Sequence, residues 1–461
     1  MLPLTIEMLD AGLRPVEAAK SLSGLRGLIL LESVTSGGVL SRYSYLMAEP
    51  VETVTLEAVE QGSDPFETLR RWSREFAMES DPALPPFQGG IAGHLSYEVG
   101  RAFEKLSRAE FEGLPIPAMQ VGVYPWVIAW DHVAENCRLM VREDLCGDVE
   151  GVLERLKSGR TRSGELGLGV EGTGGLHPPL ALKRVRLREG LSVLGNFDQA
   201  EYEEAVGKVI EYIRAGDIFQ ANLSQQFWLK AERSPLELYE TLRRTNPAPF
   251  AALVQGDGWG IVSSSPERFL QVTNGQVTTR PIKGTRRRLH RPEADLYQRE
   301  DLATSVKDRA ENIMIVDLMR NDLSRVCQPG SVQVPKLCIV EEYETVQHLV
   351  SEVTGTLEPG RDVWDLLAAT FPGGSITGAP KIRAMEIISE LERLPRGPYC
   401  GSLFWRSWNG DFDSSILIRT ISQAGGWLTL PVGGGVTCRS NPADEYRETL
   451  DKAAGMLRAF G

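Results

Sequence analysis

Lys283 and Glu267 are the residues whose settings most invite chemistry. Lys283 lies in Arg280-Pro281-Ile282-Lys283-Gly284-Thr285-Arg286, a strand end at which glycine turns the backbone and lets the amine point into a cleft. A lysine becomes a nucleophile or base when burial or a neighbouring cation lowers its pKa from about 10.4. Arg280, Arg286, Arg287 and Arg288 are candidate neighbours of that kind. On residue types alone the same stretch reads as a solvated basic loop, the commoner case. Glu267 sits in Ser263-Ser264-Ser265-Pro266-Glu267-Arg268-Phe269, ahead of a hairpin that leads to Lys283. An acid and an amine on one rim are the minimum apparatus for general acid catalysis with nucleophilic attack. The alternative is a surface ion pair worth at most about 1 kcal/mol.

Two further groups could hold a cation and an anion. A helix predicted over Asp301–Asn321 puts Lys307, Glu311, Ile315 and Leu318 on one face. A C-terminal helix, capped by Asn441 with Pro442 in its first turn, carries Glu445 and Glu448. Carboxylates from two helices, without His or Cys, suit Mg²⁺. Solvated glutamates favouring a helix dipole are the alternative. The run Phe371-Pro372-Gly373-Gly374-Ser375-Ile376-Thr377-Gly378-Ala379-Pro380-Lys381 leads into a helix and offers backbone amides to an anion. It lacks the P-loop Lys-Ser/Thr, so a carboxylate is the better guess than a nucleotide phosphate. Gly433-Gly434-Gly435 lets backbone approach a ligand just before Glu445.

The elements that must position these groups have their own signals. Asp198 and Glu201 form a capping-box pattern ahead of an apolar stripe that ends at Gly216. A period-two strand follows, with Phe219, Ala221, Leu223, Phe227 and Leu229 on one side and Gln220, Asn222, Ser224 and Gln226 on the other. Its amide side is either solvated or the lining of a polar cavity. Strands predicted over residues 260–264, 269–273, 276–282, 415–422 and 427–430 favour antiparallel sheets in an α+β arrangement. A glycine-rich seam divides the chain into residues 1–157, a linker or loop over 158–195, and residues 196–461.

Composition sets the exclusions. The chain has 461 residues, with 50 Lys and Arg against 62 Asp and Glu, a net charge of −12. Such a balance argues against a nucleic-acid binder. Six scattered cysteines without a C-x-x-C pair, together with an N-terminus lacking a signal pattern, predict a cytoplasmic protein. No apolar stretch reaches the roughly 18 residues of a membrane span. None of the cysteines sits on a nucleophile turn with a histidine base, so no activated thiol is offered.

Pro281-Ile282-Lys283-Gly284-Thr285, Lys307 to Asn312, Val316 to Asp322, Gly373 to Lys381 and Gly433 to Gly435 stand in one order. In that order the sequence resembles the chorismate-utilising enzymes, strongly from about residue 196 onward. The resemblance implies two large antiparallel sheets packed as a sandwich with helices outside. It also implies conversion of chorismate and ammonia to 4-amino-4-deoxychorismate, on the route to 4-aminobenzoate and folate. Lys283 matches the lysine that sets these members apart from those making anthranilate, where alanine usually stands; it adds to C2 of chorismate as the 4-hydroxyl leaves. Glu267 matches the acid that protonates that hydroxyl, and ammonia then displaces the lysine by attack at C4. Glu311 and Glu448 match Mg²⁺ ligands, with Glu445 acting through water. Tyr399, Arg419, Thr377, Gly433 and Gly435 match groups that hold the substrate, and His348 a histidine beside the ring. A separate glutamine amidotransferase subunit is the implied ammonia source. Glu32, Ser33, Tyr43, Ser44, Pro249 and Phe250 resemble the family's tryptophan pocket, although Phe250-Ala251 departs from its Tyr-Met pair. Anthranilate formation, and a tryptophan-binding regulatory module without catalysis, are the alternatives.

Overall fold

The computed structural model describes residues 4–34, 41–146, 149–158, 176–179, 181–187, 192–343 and 346–460. Among the described residues two antiparallel sheets, of 13 and 10 strands, carry the chain; off their main paths, Gly378–Ala379 pairs with Gln220–Lys230 in the larger and Gln333–Glu342 with Val346–Thr356 in the smaller. The larger runs from Leu4–Leu9 through Asn136–Arg142, Trp126–Asp131, Tyr43–Met47 and Ile29–Glu32 to Phe250–Gln255 and Trp259–Ser265. It continues through Thr420–Ala424, Trp427–Val436 and Gln220–Lys230 to Ser192–Gly195 and Lys183–Arg186. The smaller runs from Ile282–Arg287 through Val346–Thr356, Gln276–Thr279, Arg268–Thr273 and Phe412–Ile416 to Ser402–Ser407, Gly90–Leu95, Met119–Tyr124 and Glu52–Leu56.

Alternation of side chains sends each strand's neighbours to opposite faces, and here both faces are covered. Ile29, Tyr45 and Met47 of the larger sheet meet Ala92, Leu403 and Trp405 of the smaller in the layer between them. Leu30, Leu46 and Leu253 point the other way, onto helices that supply Ala18, Leu22, Leu238 and Met456. Outside the smaller sheet, Leu270, Val272 and Val353 pack on Trp72, Ile315 and Trp364. The apolar stretch around residues 119–131 is therefore two strands, and it changes sheets at Pro125. No helix among the described residues is long and apolar enough to cross a membrane.

Strands from before residue 158 and after residue 195 share both sheets, an early block joining a late block at one junction in each. Ile29–Glu32 pairs with Phe250–Gln255, and Gly90–Leu95 with Ser402–Ser407. Of the predicted linker, residues 159–175, 180 and 188–191 lie outside the described residues, while Ser192–Gly195 pairs with Gln220–Lys230 and with Lys183–Arg186, which is the edge strand.

Several expected elements differ. The helix predicted over Asp301–Asn321 is two, Pro292–Thr304 and Val306–Ser324, broken at Ser305, whose hydroxyl accepts from the Asp308 amide (3.3 Å) and so caps the second. The strand predicted over residues 415–422 is also two, Phe412–Ile416 in the smaller sheet and Thr420–Ala424 in the larger. Phe219, read as the first residue on the strand's apolar side, is 71% exposed; it precedes the strand, and its amide donates to the Ala379 carbonyl (2.7 Å). The helix Gln199–Ala215 is as read, with the Asp198–Glu201 capping box and Gly216 left-handed at its end.

Candidate active site

Lys283 owes its direction to a β-bulge. In the pairing of Ile282–Arg287 with Val346–Thr356, Ile282 faces Val350 and Thr285 faces His348. Lys283 and Gly284 thus oppose Leu349 alone, and a bulge of this kind re-aims a side chain. Gly284 makes it feasible: its φ is +81°, and a Cβ there would lie 2.8 Å from the Asp308 side chain. The Lys283 amine donates to the Ser375 carbonyl (2.9 Å). Burial lowers its pKa, against the pull of Glu267. The neighbouring arginines are not the cause, contrary to the sequence reading. Arg280 pairs with Glu341, Arg286 with Asp301 (2.7 Å) and Asp308 (3.2 Å), and Arg288 with Asp295 (3.4 Å).

Glu267 and Arg419 stand where the chain crosses between the sheets. Trp259–Ser265 belongs to the larger sheet and Arg268–Thr273 to the smaller, so Glu267 occupies one crossing; Arg419, at φ 51°, occupies another. The crossings are laced together, with Ile416 N donating to Glu267 O (3.1 Å) and Ser264 N to Arg419 O (3.0 Å). Glu267 is 5% exposed, and burial raises its carboxyl above the usual range while Lys283 opposes the rise. Burial therefore favours the neutral acid and the neutral amine together, the forms that can donate a proton and attack.

His348 shares a hydrogen bond with Thr285 through Nδ1 (2.9 Å). Burial, with Arg419 nearby, brings its pKa down to about 4, so the ring is neutral. Among the described residues no hydrogen bond or ion pair engages the Arg419 guanidinium, and burial lowers its pKa. Tyr399 is buried, its ring 6.0 Å from the Arg396 guanidinium carbon. Thr377 spends its hydroxyl on the Gly373 carbonyl (2.9 Å), while its own carbonyl accepts from the Asn222 amide (2.7 Å).

Gly435 and Gly433 lie opposite Asn222 and Ser224. A Cβ at Gly435 would sit 2.3 Å from the Gln220 side-chain nitrogen. The amide side of this strand is buried rather than solvated, and among the described residues Gln220 Oε1, Asn222 Oδ1 and Ser224 Oγ have no hydrogen-bond partner. The sequence showed these polar residues by their period of two and left open whether they are solvated or line a polar cavity.

Glu311, Glu445 and Glu448 gather at the helix side of Gly434. A Cβ on that glycine would lie 3.3 Å from both Glu445 Oε2 and Glu448 Oε1. Two ammonium groups enter the cluster. Lys307 lies 4.0 Å from Glu311 and 3.9 Å from Glu445, and Lys452 lies 2.7 Å from Glu448. With these lysines in place, no three His, Cys, Asp or Glu side chains among the described residues are arranged around one metal ion. The donor chemistry still fits a hard cation, since Glu311 Oε1 is buried without a hydrogen-bond partner. Burial raises Glu311 and Glu445; for Glu448 burial acts the same way, but Lys452 outweighs it and holds the carboxyl low.

A separate cavity of about 210 Å³ lies between the sheets. Glu32, Ser33, Tyr43, Pro249 and Phe250 border it, with Arg268 and Asp413 paired at 2.8 Å. Ser44 does not line it; its hydroxyl instead accepts from the Ser33 amide (3.1 Å). Glu32 is engaged by Tyr239 (2.6 Å) and Arg243.

Sheets that meet at two crossings, with an acid, an amine and a free guanidinium beside them, define a class of enzyme. Residues 29–458 match the chorismate binding enzyme family, and the chain belongs to it. It is 40% identical to aminodeoxychorismate synthase component 1 of Salmonella typhimurium over 442 residues, 93% of this chain and 92% of that one. It is 35% identical to anthranilate synthase component 1 of Pseudomonas aeruginosa, over 99% of this chain and 95% of that one. Among solved structures, anthranilate synthase component I from Streptococcus pneumoniae superposes with a TM-score of 0.73 at 30% identity, covering 91% of this chain and 93% of that one.

Proposed function

We propose that this chain converts chorismate and ammonia to 4-amino-4-deoxychorismate. The observation that carries this reading is Lys283 on its bulge, held by the Ser375 carbonyl and paired electrostatically with buried Glu267. A chain with no amine at this position would lack the nucleophile. Glu267 donates its proton to the departing 4-hydroxyl while the Lys283 amine forms a bond to C2 of chorismate, and water leaves. Ammonia then bonds to C4, and the C2–nitrogen bond to Lys283 breaks as the ring double bonds shift back. Arg419, with no partner of its own, suits one substrate carboxylate, and neutral His348 flanks the ring.

Glu311 and Glu448 would hold Mg²⁺, with Glu445 acting through water; once bound, the ion supplies positive charge to a substrate carboxylate. Ammonia comes from a glutamine amidotransferase partner. Cys137 and Cys400 do not suit that chemistry: burial pushes their thiols up to about 12, the opposite of an activated thiolate. The cavity bordered by Glu32, Tyr43 and Phe250, aromatic in part with a charged pair at its wall, is read as a tryptophan pocket.

The test is incubation with chorismate, Mg²⁺ and ammonium at alkaline pH, followed by a lyase that cleaves aminodeoxychorismate. Appearance of 4-aminobenzoate, lost on chelation of divalent ions and in Lys283→Ala, is the expected outcome. Anthranilate as the main product, or unchanged turnover by Lys283→Ala, refutes the reading.

A further inference from the structure

The loop Phe371–Pro380 delivers the carbonyl that holds Lys283, yet little regular secondary structure fixes its shape. It contains one short 3₁₀ turn, Gly374–Ile376, and a two-residue strand, Gly378–Ala379. Side chains do the rest. The Lys381 ammonium donates to the carbonyl of Thr370 (2.7 Å) and to Asp322 (2.5 Å). Thr370 ends the helix Val363–Thr370 and Lys381 begins the helix Lys381–Glu392, so one cation ties both ends of the loop together. Asp322 belongs to Val306–Ser324, the helix that carries Glu311, and is 3% exposed. Within the loop, the buried Arg396 guanidinium donates to the Ile376 carbonyl (2.8 Å), next to Ser375. The loop is pressed onto the Glu311 helix so closely that a Cβ at Gly374 would meet Leu318 at 2.6 Å.

We propose that Lys381, clamped by Asp322, is a positioning residue for Lys283: it fixes the loop so that the Ser375 carbonyl holds the Lys283 amine in its attacking position. Lys381 itself touches no reacting atom. The unclamped loop would shift, and a misplacement of about 1 Å at a reacting group costs on the order of 10²-fold in rate. A buried cation left without its carboxylate, or the reverse, also costs stability, so the test must separate position from folding.

The inference rests on the reading of Lys283 as nucleophile, and the experiment has one arm independent of that reading. In the full-length chain, Lys381→Met, Lys381→Arg and the volume-conserving Asp322→Asn are compared with the parent. The first arm measures kcat and KM for chorismate. The second measures reductive methylation of Lys283 at fixed pH by peptide mass spectrometry, with exposed Lys208 as internal reference. Lys381→Met is expected to lose about 10²-fold in kcat with KM little changed. Its Lys283, released from the Ser375 carbonyl, should be methylated several-fold faster relative to Lys208. Lys381→Arg should restore most of both. If no variant alters Lys283 methylation in the folded fraction, or if activity falls only in step with folded protein, the pair serves stability alone and the proposal is overturned. If the parent makes no amino product, the methylation arm still decides whether the clamp sets Lys283.

Discussion

At the scale of single residues, the site depends on burial acting in opposite senses on an acid and a base. Glu267 is pushed toward its neutral form and Lys283 toward the free amine. A carboxyl whose pKa is higher in the fold than in the unfolded chain binds more protons when folded, so it destabilises the fold as pH rises from its ordinary value of 4.5 through the raised one. Glu267→Gln is therefore expected to raise Tm at pH 8 and leave it nearly unchanged at pH 4, while lowering kcat by roughly 10²–10⁴-fold through loss of the proton donor. Equal Tm differences at both pH values would show that the carboxylate bears no such cost. The types and spacings of Lys283, Glu267, Glu311 and Glu448 were legible in the sequence, because each lies in a run with a clear element on either side. The cause of the Lys283 shift was not: burial and nearby arginines were both open from the residue types, and it took the fold to show Lys283 buried while Arg280 and Arg286 pair with Glu341 and Asp308, carboxylates far along the chain.

At the scale of elements, the periodicities gave helix and strand types well, and boundaries less well. Ser305 and Arg419 show why. Ser305 sits inside a continuous helical pattern and still breaks it, because its hydroxyl can cap the next turn. Arg419 sits inside a run that alternates like one strand, but the run changes sheets there, which no local pattern encodes. The burial of Gln220, Asn222 and Ser224 likewise follows from what covers the strand. Close backbone approach at the loop is testable. A Cβ at Gly378 would lie 2.1 Å from the Gln220 carbonyl oxygen, while one at Gly207, in the helix Gln199–Ala215, would meet nothing within 4 Å. Gly378→Ala should destabilise by about 1–3 kcal/mol and depress activity. Gly207→Ala should stabilise by roughly 0.5–1 kcal/mol, both measured by denaturant unfolding with the parent as reference.

At the scale of the whole molecule, the layer between the two sheets holds charge where it is paired, as in Arg268 with Asp413 (2.8 Å), and otherwise favours neutral groups. His94, in the layer between them, donates from Nε2 to the Pro117 carbonyl (3.1 Å), its Nδ1 has no hydrogen-bond partner among the described residues, and burial lowers its pKa to about 4. A histidine whose pKa falls on folding takes up protons more readily in the unfolded chain, so stability declines as pH drops from about 6.5 towards 4. Buried carboxylates such as Glu98 and Asp413 act in the opposite sense, which makes the difference between variants the useful quantity. His94→Gln should flatten the acid limb of Tm against pH between about 6.5 and 4, while leaving the catalytic pH profile in place; a limb of unchanged slope would exclude His94 as a contributor. The junction of early and late strands in each sheet has a consequence for synthesis. When the first 158 residues have left the ribosome, Ile29–Glu32 still lacks its partner Phe250–Gln255, and Gly90–Leu95 lacks Ser402–Ser407. The nascent chain must therefore carry open, apolar strand edges through most of its translation, and neither portion, expressed alone, has the means to close them. A pair of separately encoded fragments would have to meet before either could fold, so the chain is built as one cooperative unit whose completion waits on its last hundred residues.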